Sequence, residues 1–283
     1  MIEALRSHIE AKIKGSEIMD FPFPHLIIEN FFPEDIYRSL LEKNPFKNNI
    51  GVEWQSKAQT AQSKTGTPYY ARKQINFHTG DPFQAAPEDA SFWNDLKATF
   101  LRDNWFPKLI MEKYPAYFSI RFGELVNTPD FFGNFKKELF LQRHEPGYYI
   151  GPHTDVPTRI FTCIFSFAEK EGFEEFGTEF CVNKDPLARC WGNNHYKPDD
   201  FIVTKVAPYK PNNFLLFFKT RQSFHSVRSI DASVPNQRYG MQFQSYEPVG
   251  GIFRDLSEPD LLRVRHNKKQ QGKLRQIVDI LRS

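Results

Sequence analysis

The stretch that decides the fold is GYYIGPHTDVPTRIFTCIFS, residues 147–166. It places His153 and Asp155 two positions apart, directly before the apolar run Arg159–Phe167. Residues two apart in a strand, or at its immediate exit, point to the same face, so these two side chains can converge on one ion. A second imidazole, His225, lies 70 residues beyond Asp155 and must come from a different strand. Two histidines and one carboxylate on one face of a metal hold Fe(II) and leave the opposite positions open.

The second half of the chain has the texture of a β protein. From about residue 117 onward, short apolar runs alternate with turn residues, as in all-β sandwiches and barrels. We predict eight strands there: Tyr117–Phe122, Leu139–Arg143, Arg159–Phe167, Thr178–Val182, Phe201–Val206, Asn213–Phe218, Ser223–Ile230 and Gln237–Tyr246. Eight antiparallel strands of this length fit a jelly roll, which can hold a ligand between its two sheets. The expected fold class is mainly β with flanking helices (α+β) around a double-stranded β-helix (jelly-roll) core.

The flanking parts of the chain show helical periodicity. Residues 1–19 carry apolar side chains at helical spacing, a second helix is predicted to begin near Pro33, and Glu88–Tyr114 is again helical, with Pro107 marking a kink or a break. Beyond Pro259 the pattern is that of a basic amphipathic helix. We therefore expect one structural domain in three parts: a helical and mixed extension (1–116), the jelly roll (117–250) and a basic C-terminal helix (251–283).

Composition excludes several classes of function. The formal charge of +3 arises at the end of the chain, because Leu261–Ser283 holds seven basic residues and one acidic residue. No nucleic-acid partner is expected, since basic and aromatic residues are not interleaved elsewhere. The three cysteines lack paired spacing, which fits a reducing compartment, and the N-terminus offers no export signal. The longest apolar run, Phe214–Phe218, is too short to span a bilayer. The expected location is cytoplasmic, with no membrane partner.

Arg238 is the fourth candidate site residue, 13 positions after His225 on the next predicted strand. A buried arginine needs an anionic partner, and its planar fork suits a carboxylate. One partner is the far carboxylate of a dicarboxylic co-substrate that chelates the metal through a keto-acid end. The alternative is a structural salt bridge with an Asp or Glu of the protein. In the same way, a single histidine in an apolar strand is more often a satisfied core residue than a ligand.

The order and spacing of these motifs resemble the Fe(II)/2-oxoglutarate-dependent dioxygenases, in particular their prolyl-hydroxylase-like branch, over about residues 117–247. The motifs that carry the resemblance are Gly147–Asp155, Arg159–Ser166, Gly177–Phe180, Pro211–Phe218 leading to Ser223–Val227, and Arg238.

The resemblance implies a jelly roll with His153, Asp155 and His225 as iron ligands and Arg238 as the anchor of the 2-oxoglutarate C5 carboxylate. It further implies O2 as co-substrate, ascorbate as an accessory reductant, and hydroxylation of a small molecule or a peptide side chain with release of succinate and CO2. By strand alternation Thr162, Ile164 and Ser166 share a face and are expected to line the same pocket, with Thr162 and Ser166 as its polar contacts to the co-substrate.

Two positions depart from the family pattern. Ser166 stands where members often carry a tyrosine, and Arg238 is slightly further from the second histidine than in many members. Asp155, in contrast, keeps the carboxylate that related halogenases replace by Ala or Gly, so hydroxylation is the expected reaction.

Other interpretations remain open at this point. A non-catalytic jelly-roll module that binds a metal or a sugar is the alternative from a different class, and a cupin-type enzyme is a closer one. Cys181, Cys190 and His195 lack the number and spacing of ligands that a zinc site needs. The polar segment 183–200 fits a lid over a substrate or a plain surface loop. The basic final helix fits a solvated helix packed on the core or a site for an acidic partner.

Overall fold

The structure is a computed structural model of the 283-residue chain, and it describes residues 1–48, 52–53, 71–77, 87–192, 194–229 and 238–247. The five α-helices of these ranges are α1 (Ile2–Gly15), α2 (Glu34–Glu42), α3 (Ala90–Leu101), α4 (Trp105–Lys113) and α5 (Pro115–Phe122). Within the described ranges, no helix combines the length and apolarity needed to cross a membrane.

The strands of the same ranges form two antiparallel sheets. They are β1 (His25–Ile28), β2 (Val52–Glu53), β3 (Arg72–Asn76), β4 (Lys136–His144), β5 (Ile150–His153), β6 (Arg159–Phe167), β7 (Thr178–Asn183), β8 (Phe201–Ala207), β9 (Pro211–Phe218), β10 (His225–Val227) and β11 (Arg238–Tyr246). The larger sheet has the order β1-β9-β6-β11-β4-β3-β2, and the smaller has the order β5-β10-β7-β8.

Strands β4 to β11 form a jelly roll. The four strands β9-β6-β11-β4 face the four strands β5-β10-β7-β8, and the chain alternates between the sheets as it passes from β4 to β7. The predicted fold class is therefore confirmed. The part of the chain before β4 extends the larger sheet, because β1 pairs with β9 on one side and β3 pairs with β4 on the other.

The main hydrophobic core lies between the helices and the outer face of the larger sheet. On β11, Met241 and Phe243 are buried there with residues of α3 and α4. The residues between and around them on the same strand, such as Gln242 and Gln244, face the space between the two sheets instead. Alternation along β4 and β11 thus sends apolar side chains outward to the helices and leaves a polar inner face.

Several element predictions were wrong in type or position. Residues Tyr117–Phe122 were predicted as a strand but lie in helix α5, which starts at Pro115 and buries Tyr117, Phe118, Arg121 and Phe122 at helical spacing. The helical break falls at residues 102–104 rather than at Pro107, which lies in the first turn of α4, where a proline is tolerated. Strand β5 was not among the predicted strands, and β10 is shorter than the predicted Ser223–Ile230.

The helix predicted beyond Pro259 lies outside the described residues. The division of the chain at residues 116 and 250 stays a prediction.

Candidate metal centre

The three predicted ligands converge at one end of the smaller sheet. Strands β5 and β10 pair antiparallel with His225 directly opposite His153, and Asp155 follows two residues after the end of β5. One ligand atom from each of the three residues lies within 4.8 Å of the other two. In the described part of the chain this is the one group of three or more His, Cys, Asp or Glu side chains with such geometry. The zinc interpretation of Cys181, Cys190 and His195 finds no support there.

Backbone carbonyls fix the orientation of both imidazoles. Nδ1 of His153 lies 2.9 Å from the Gly151 carbonyl oxygen, and Nδ1 of His225 lies 3.0 Å from that of Ser223. A carbonyl only accepts, so each Nδ1 carries the proton and each Nε2 keeps its lone pair. Burial lowers the pKa of both histidines, which favours the neutral form that a metal requires.

The carboxylate of Asp155 is held by two side chains of the next strand. Thr162 donates a hydrogen bond from Oγ1 to Oδ2 at 2.7 Å, and Nη1 of Arg159 lies 3.4 Å from Oδ1. Burial alone would raise the pKa of Asp155, but its neighbours, the guanidinium of Arg159 first among them and the hydrogen bond from Thr162 included, hold the pKa below the usual range. The centre therefore offers two neutral nitrogens and one oxygen anion.

Within segment 183–200, His195 and Tyr196 pack against the turn that carries His153 and Asp155. The His195 ring stacks on the His153 ring, with centroids 4.7 Å apart and planes 5° apart, and the backbone N–H of Tyr196 donates to the Pro152 carbonyl at 2.8 Å. Burial lowers the pKa of His195 to about 4. At Gly192, φ is +145°, and a Cβ would lie 2.6 Å from the Asp155 carbonyl oxygen. Residues of this segment therefore contact both His153 and the backbone of Asp155.

A cavity of about 280 Å³ extends from the three candidate ligands into the space between the sheets. Its walls include three aliphatic side chains, from Ile150, Ile164 and Val227. Arg238 and His144, which pair across β11 and β4, line it at the start of β11. The three candidate metal ligands and Arg238 thus line the same cavity.

Arg238 is buried, with 6% of its surface exposed, and its Nη1 has no hydrogen-bond partner among the described residues. In those same ranges, no Asp or Glu forms an ion pair with it. Its guanidinium lies 5.5 Å from the centre of the Tyr209 ring, and burial lowers its pKa. The alternative of a structural salt bridge is therefore not realised within the described part of the molecule.

Thr162 and Ser166 do not line the cavity wall, whereas Ile164 between them does. Thr162 is 1% exposed and engaged with Asp155 and Arg159. Ser166 is buried beside Gly240 of β11. The predicted contact of these two residues with a cofactor stays a prediction, and Thr162 donates instead to the candidate metal ligand Asp155.

Sequence reasoning missed the polar residues of the inner sheet face. Glu138, Gln142, Gln244 and Tyr246 line the cavity, and Arg159 joins them from the start of β6. The available signal was partial polar alternation: Gln242 and Gln244 alternate with Met241 and Phe243 on β11, and Glu138 and Gln142 share one face of β4.

No protein-family model and no curated protein matches this sequence. Among solved structures, the fold is similar to a prolyl-4-hydroxylase from Pseudomonas putida, with 10% identity and a TM-score of 0.45 over 84% of this chain and 98% of that chain. It is also similar to SnoN, a non-heme alpha-ketoglutarate-dependent epimerase of nogalamycin biosynthesis (11%, TM-score 0.40, 87% and 86%). A third is HygX from Streptomyces hygroscopicus with nickel and 2-oxoglutarate bound (11%, TM-score 0.40, 79% and 82%). At these values the similarities assign no function to this chain.

Proposed function

We propose that this protein is an Fe(II)- and 2-oxoglutarate-dependent dioxygenase that hydroxylates a small molecule or a peptide side chain. The observation that carries the proposal is that a candidate metal-binding triad and a buried arginine line the same cavity. His153, Asp155 and His225 converge within 4.8 Å. Arg238 lines the same space and has no ion-pair partner among the described residues.

The ligand set fits ferrous iron. Two imidazole nitrogens and one carboxylate oxygen on one side of an ion leave the cavity side free, as non-heme Fe(II) oxygenases require. The hydrogen bonds from Nδ1 of each histidine and from Thr162 to Asp155 fix the ligands before the metal binds.

The cavity fits a short dicarboxylate. One carboxylate and a neighbouring keto oxygen would bind at the metal, the methylene groups would contact Ile150, Ile164 and Val227, and the far carboxylate would meet Arg238. When bound, Fe(II) and 2-oxoglutarate supply the oxidative decarboxylation that activates O2 for C–H hydroxylation. The chain contributes placement and a cavity enclosed by two sheets, which limits access of water and stray reductants.

The alternative of a non-catalytic metal- or sugar-binding module does not account for Arg238. A neutral sugar or a metal alone would leave this buried guanidinium without a counter-charge, which is unfavourable. A dicarboxylate supplies the missing anion.

The test is anaerobic addition of Fe(II) and 2-oxoglutarate, which should give a weak visible charge-transfer band. Under air, 2-oxoglutarate should be converted to succinate. In mixtures of candidate substrates, the product should be heavier than its substrate by one oxygen atom. His225→Ala should remove the band. Absence of the band together with absence of 2-oxoglutarate-dependent succinate would refute the proposal.

A further inference from the structure

Lys219, the residue after β9, is buried beside the turn that carries two of the candidate metal ligands. Its exposed fraction is 5%. Its Nζ donates to Oγ1 of Thr154 at 2.8 Å, and Thr154 is the residue between those two ligands. The same Nζ donates to the carbonyl oxygens of Cys190 at 3.2 Å and Thr220 at 2.8 Å. One side chain therefore joins the end of β9, segment 183–200 and the candidate metal centre.

The contacts of Nζ require the charged form of this lysine. The Thr154 hydroxyl donates its single proton to the Cys190 carbonyl oxygen at 3.1 Å, so its oxygen can only accept from Nζ. Three acceptor oxygens then surround Nζ, and they need three N–H donors. An ammonium group has three, whereas a neutral amine has two. The hydrogen bonds therefore place a positive charge in the interior, next to a site suited to a metal cation.

The backbone of Lys219 is fixed as well. Its N–H donates to the Ile160 carbonyl oxygen at 3.0 Å, and its own carbonyl oxygen accepts from the Tyr117 hydroxyl at 2.8 Å. On the other side of the ammonium group, the N–H of Cys190 donates to the Arg221 carbonyl oxygen at 2.9 Å. The charge thus has a fixed position, and burial protects it from the screening by salt that weakens exposed charges.

The charge of Lys219 acts on the candidate ligands. Burial lowers the pKa of His225, the carboxylate of Asp155 opposes this effect, and the positive charges of Arg159 and Lys219 lower the pKa further. The same field acts on any cation at the triad. By Coulomb's law, a fixed positive charge opposes a trivalent ion more strongly than a divalent ion at the same position.

We propose that Lys219 is a positioning residue of the metal centre with two separable effects. Its hydrogen bonds hold the turn at Thr154, and its charge favours Fe(II) over Fe(III) at the site. The inference rests on the proposed function in one respect, since it requires iron to bind at the triad. Because the proposed reaction starts from Fe(II), such a charge keeps the resting iron in the reactive oxidation state. A lysine with a merely structural role would have only the first effect.

The experiment measures the midpoint potential of the one-electron Fe(III)/Fe(II) couple in the iron-loaded full chain, with soluble mediators and without 2-oxoglutarate. Lys219→Met keeps the length of the side chain and removes the charge. We expect the ratio of Fe(III) affinity to Fe(II) affinity to rise about tenfold in this variant, which lowers the potential by about 59 mV.

Lys137→Met is the matched control. The Nζ of Lys137 also donates to three oxygens, those of the Leu101 and Asp103 carbonyls and of the Asn104 side chain, but it lies on the helix side of the larger sheet. Its removal should leave the potential unchanged. A fall in Lys137→Met equal to that in Lys219→Met would overturn the inference, because the effect would then not be local to the site.

Thr154→Val separates position from charge. It removes the hydroxyl that contacts Nζ and leaves the charge in place, so Fe(II) affinity should fall while the potential moves by less than half of the shift in Lys219→Met. Unchanged Fe(II) affinity in Thr154→Val would refute the positioning effect. An unchanged or higher potential in Lys219→Met would refute the effect of the charge.

Iron binding and turnover distinguish failure of this inference from failure of the proposed function. If the unmodified protein binds no iron that His225→Ala loses, both fail. If iron binds and Lys219→Met keeps the potential of the unmodified protein, only the inference on Lys219 fails. If the potential shifts as expected but no 2-oxoglutarate-dependent succinate forms, the proposed function fails and the role of Lys219 stands.

Discussion

Arg238 carries a buried positive charge for which the described residues provide no counter-charge. Its Nη1 has no partner in the described part of the chain, and an uncompensated buried charge destabilises the fold. We therefore expect Arg238→Met to raise the unfolding free energy of the ligand-free protein by about 1–3 kcal/mol. The same variant should lose the stabilisation that 2-oxoglutarate gives the metal-loaded protein. Denaturant unfolding with and without 2-oxoglutarate measures both effects.

Arg121 provides the matched control for this prediction. It is equally buried, but its Nη2 lies 3.4 Å from Oε1 of the buried Glu247, and its Nη1 donates to Tyr117. Arg121→Met leaves a buried carboxylate unpaired and should cost about 3–5 kcal/mol. If Arg238→Met were destabilising to a similar extent, or kept the 2-oxoglutarate effect, the role assigned to Arg238 would be wrong.

We expect Thr162 to affect metal binding through the candidate ligand Asp155. Thr162→Val keeps the shape of the side chain but removes the 2.7 Å hydrogen bond that fixes the carboxylate. We expect metal affinity to fall by about 10–100-fold, the usual effect of losing such a supporting contact. Titration with Mn(II) or Fe(II) measures it. Thr204→Val, which removes a hydroxyl bonded to the Phe180 carbonyl on β7, should leave metal affinity unchanged.

At the scale of elements, segment 183–200 supports the turn that carries Asp155. Gly192 has φ of +145°, and a Cβ there would lie 2.6 Å from the Asp155 carbonyl oxygen. Gly192→Ala must displace either the segment or the turn, so we expect weaker metal binding. Gly172→Ala is the control, because Gly172 also has a positive φ (+97°) but has nothing within 4 Å of its Cβ position.

Both glycine variants should lose about 1–2 kcal/mol of stability through backbone strain. Only Gly192→Ala should also lose metal affinity, as measured by the same titration. Equal metal affinity in the two variants would show that the segment does not support the site.

Helices and strands were predictable from the sequence where the length of an apolar run and its pattern both indicated the same type of element. Strand β6 has the predicted bounds Arg159–Phe167, because nine mostly apolar residues after a turn admit one interpretation. Residues 117–122 were misassigned, since a short apolar run fits a strand or a buried helix equally well. Pro115 at the first helical position was the overlooked signal. Strand β10 covers only His225–Val227, and its pairing with β5 contains a register irregularity between these two residues.

At the scale of the whole molecule, the sequence predicted the candidate ligands and Arg238 but did not predict the polar residues Glu138 and Tyr246 of the same cavity. The candidate ligand triad follows from local spacing plus one distant histidine, and the resemblance to a known family supplied the role proposed for Arg238. The polar end of the cavity depends on the contact between Glu138 and Tyr246, which are 108 residues apart. That contact exists because β4 and β11 pair in one register, and no local pattern specifies the register of distant strands.

The stability of the whole molecule should depend on pH through His25 on β1, the strand that joins the N-terminal part to β9. Burial, with the nearby Lys205, lowers the pKa of His25 to about 4, although Nδ1 donates to the Phe23 carbonyl. Because the unfolded chain titrates near 6.5, it binds more protons between pH 6.5 and 4, so stability is complete above 6.5 and falls with acidification. From pH 7 to pH 5 this contribution should fall by about 2 kcal/mol. The measurement is the unfolding free energy of the metal-free protein in denaturant at pH 7 and at pH 5, for the unmodified chain and for His25→Asn. The difference between the two proteins removes the contributions of all other titrating groups. An identical pH dependence in His25→Asn would contradict the prediction.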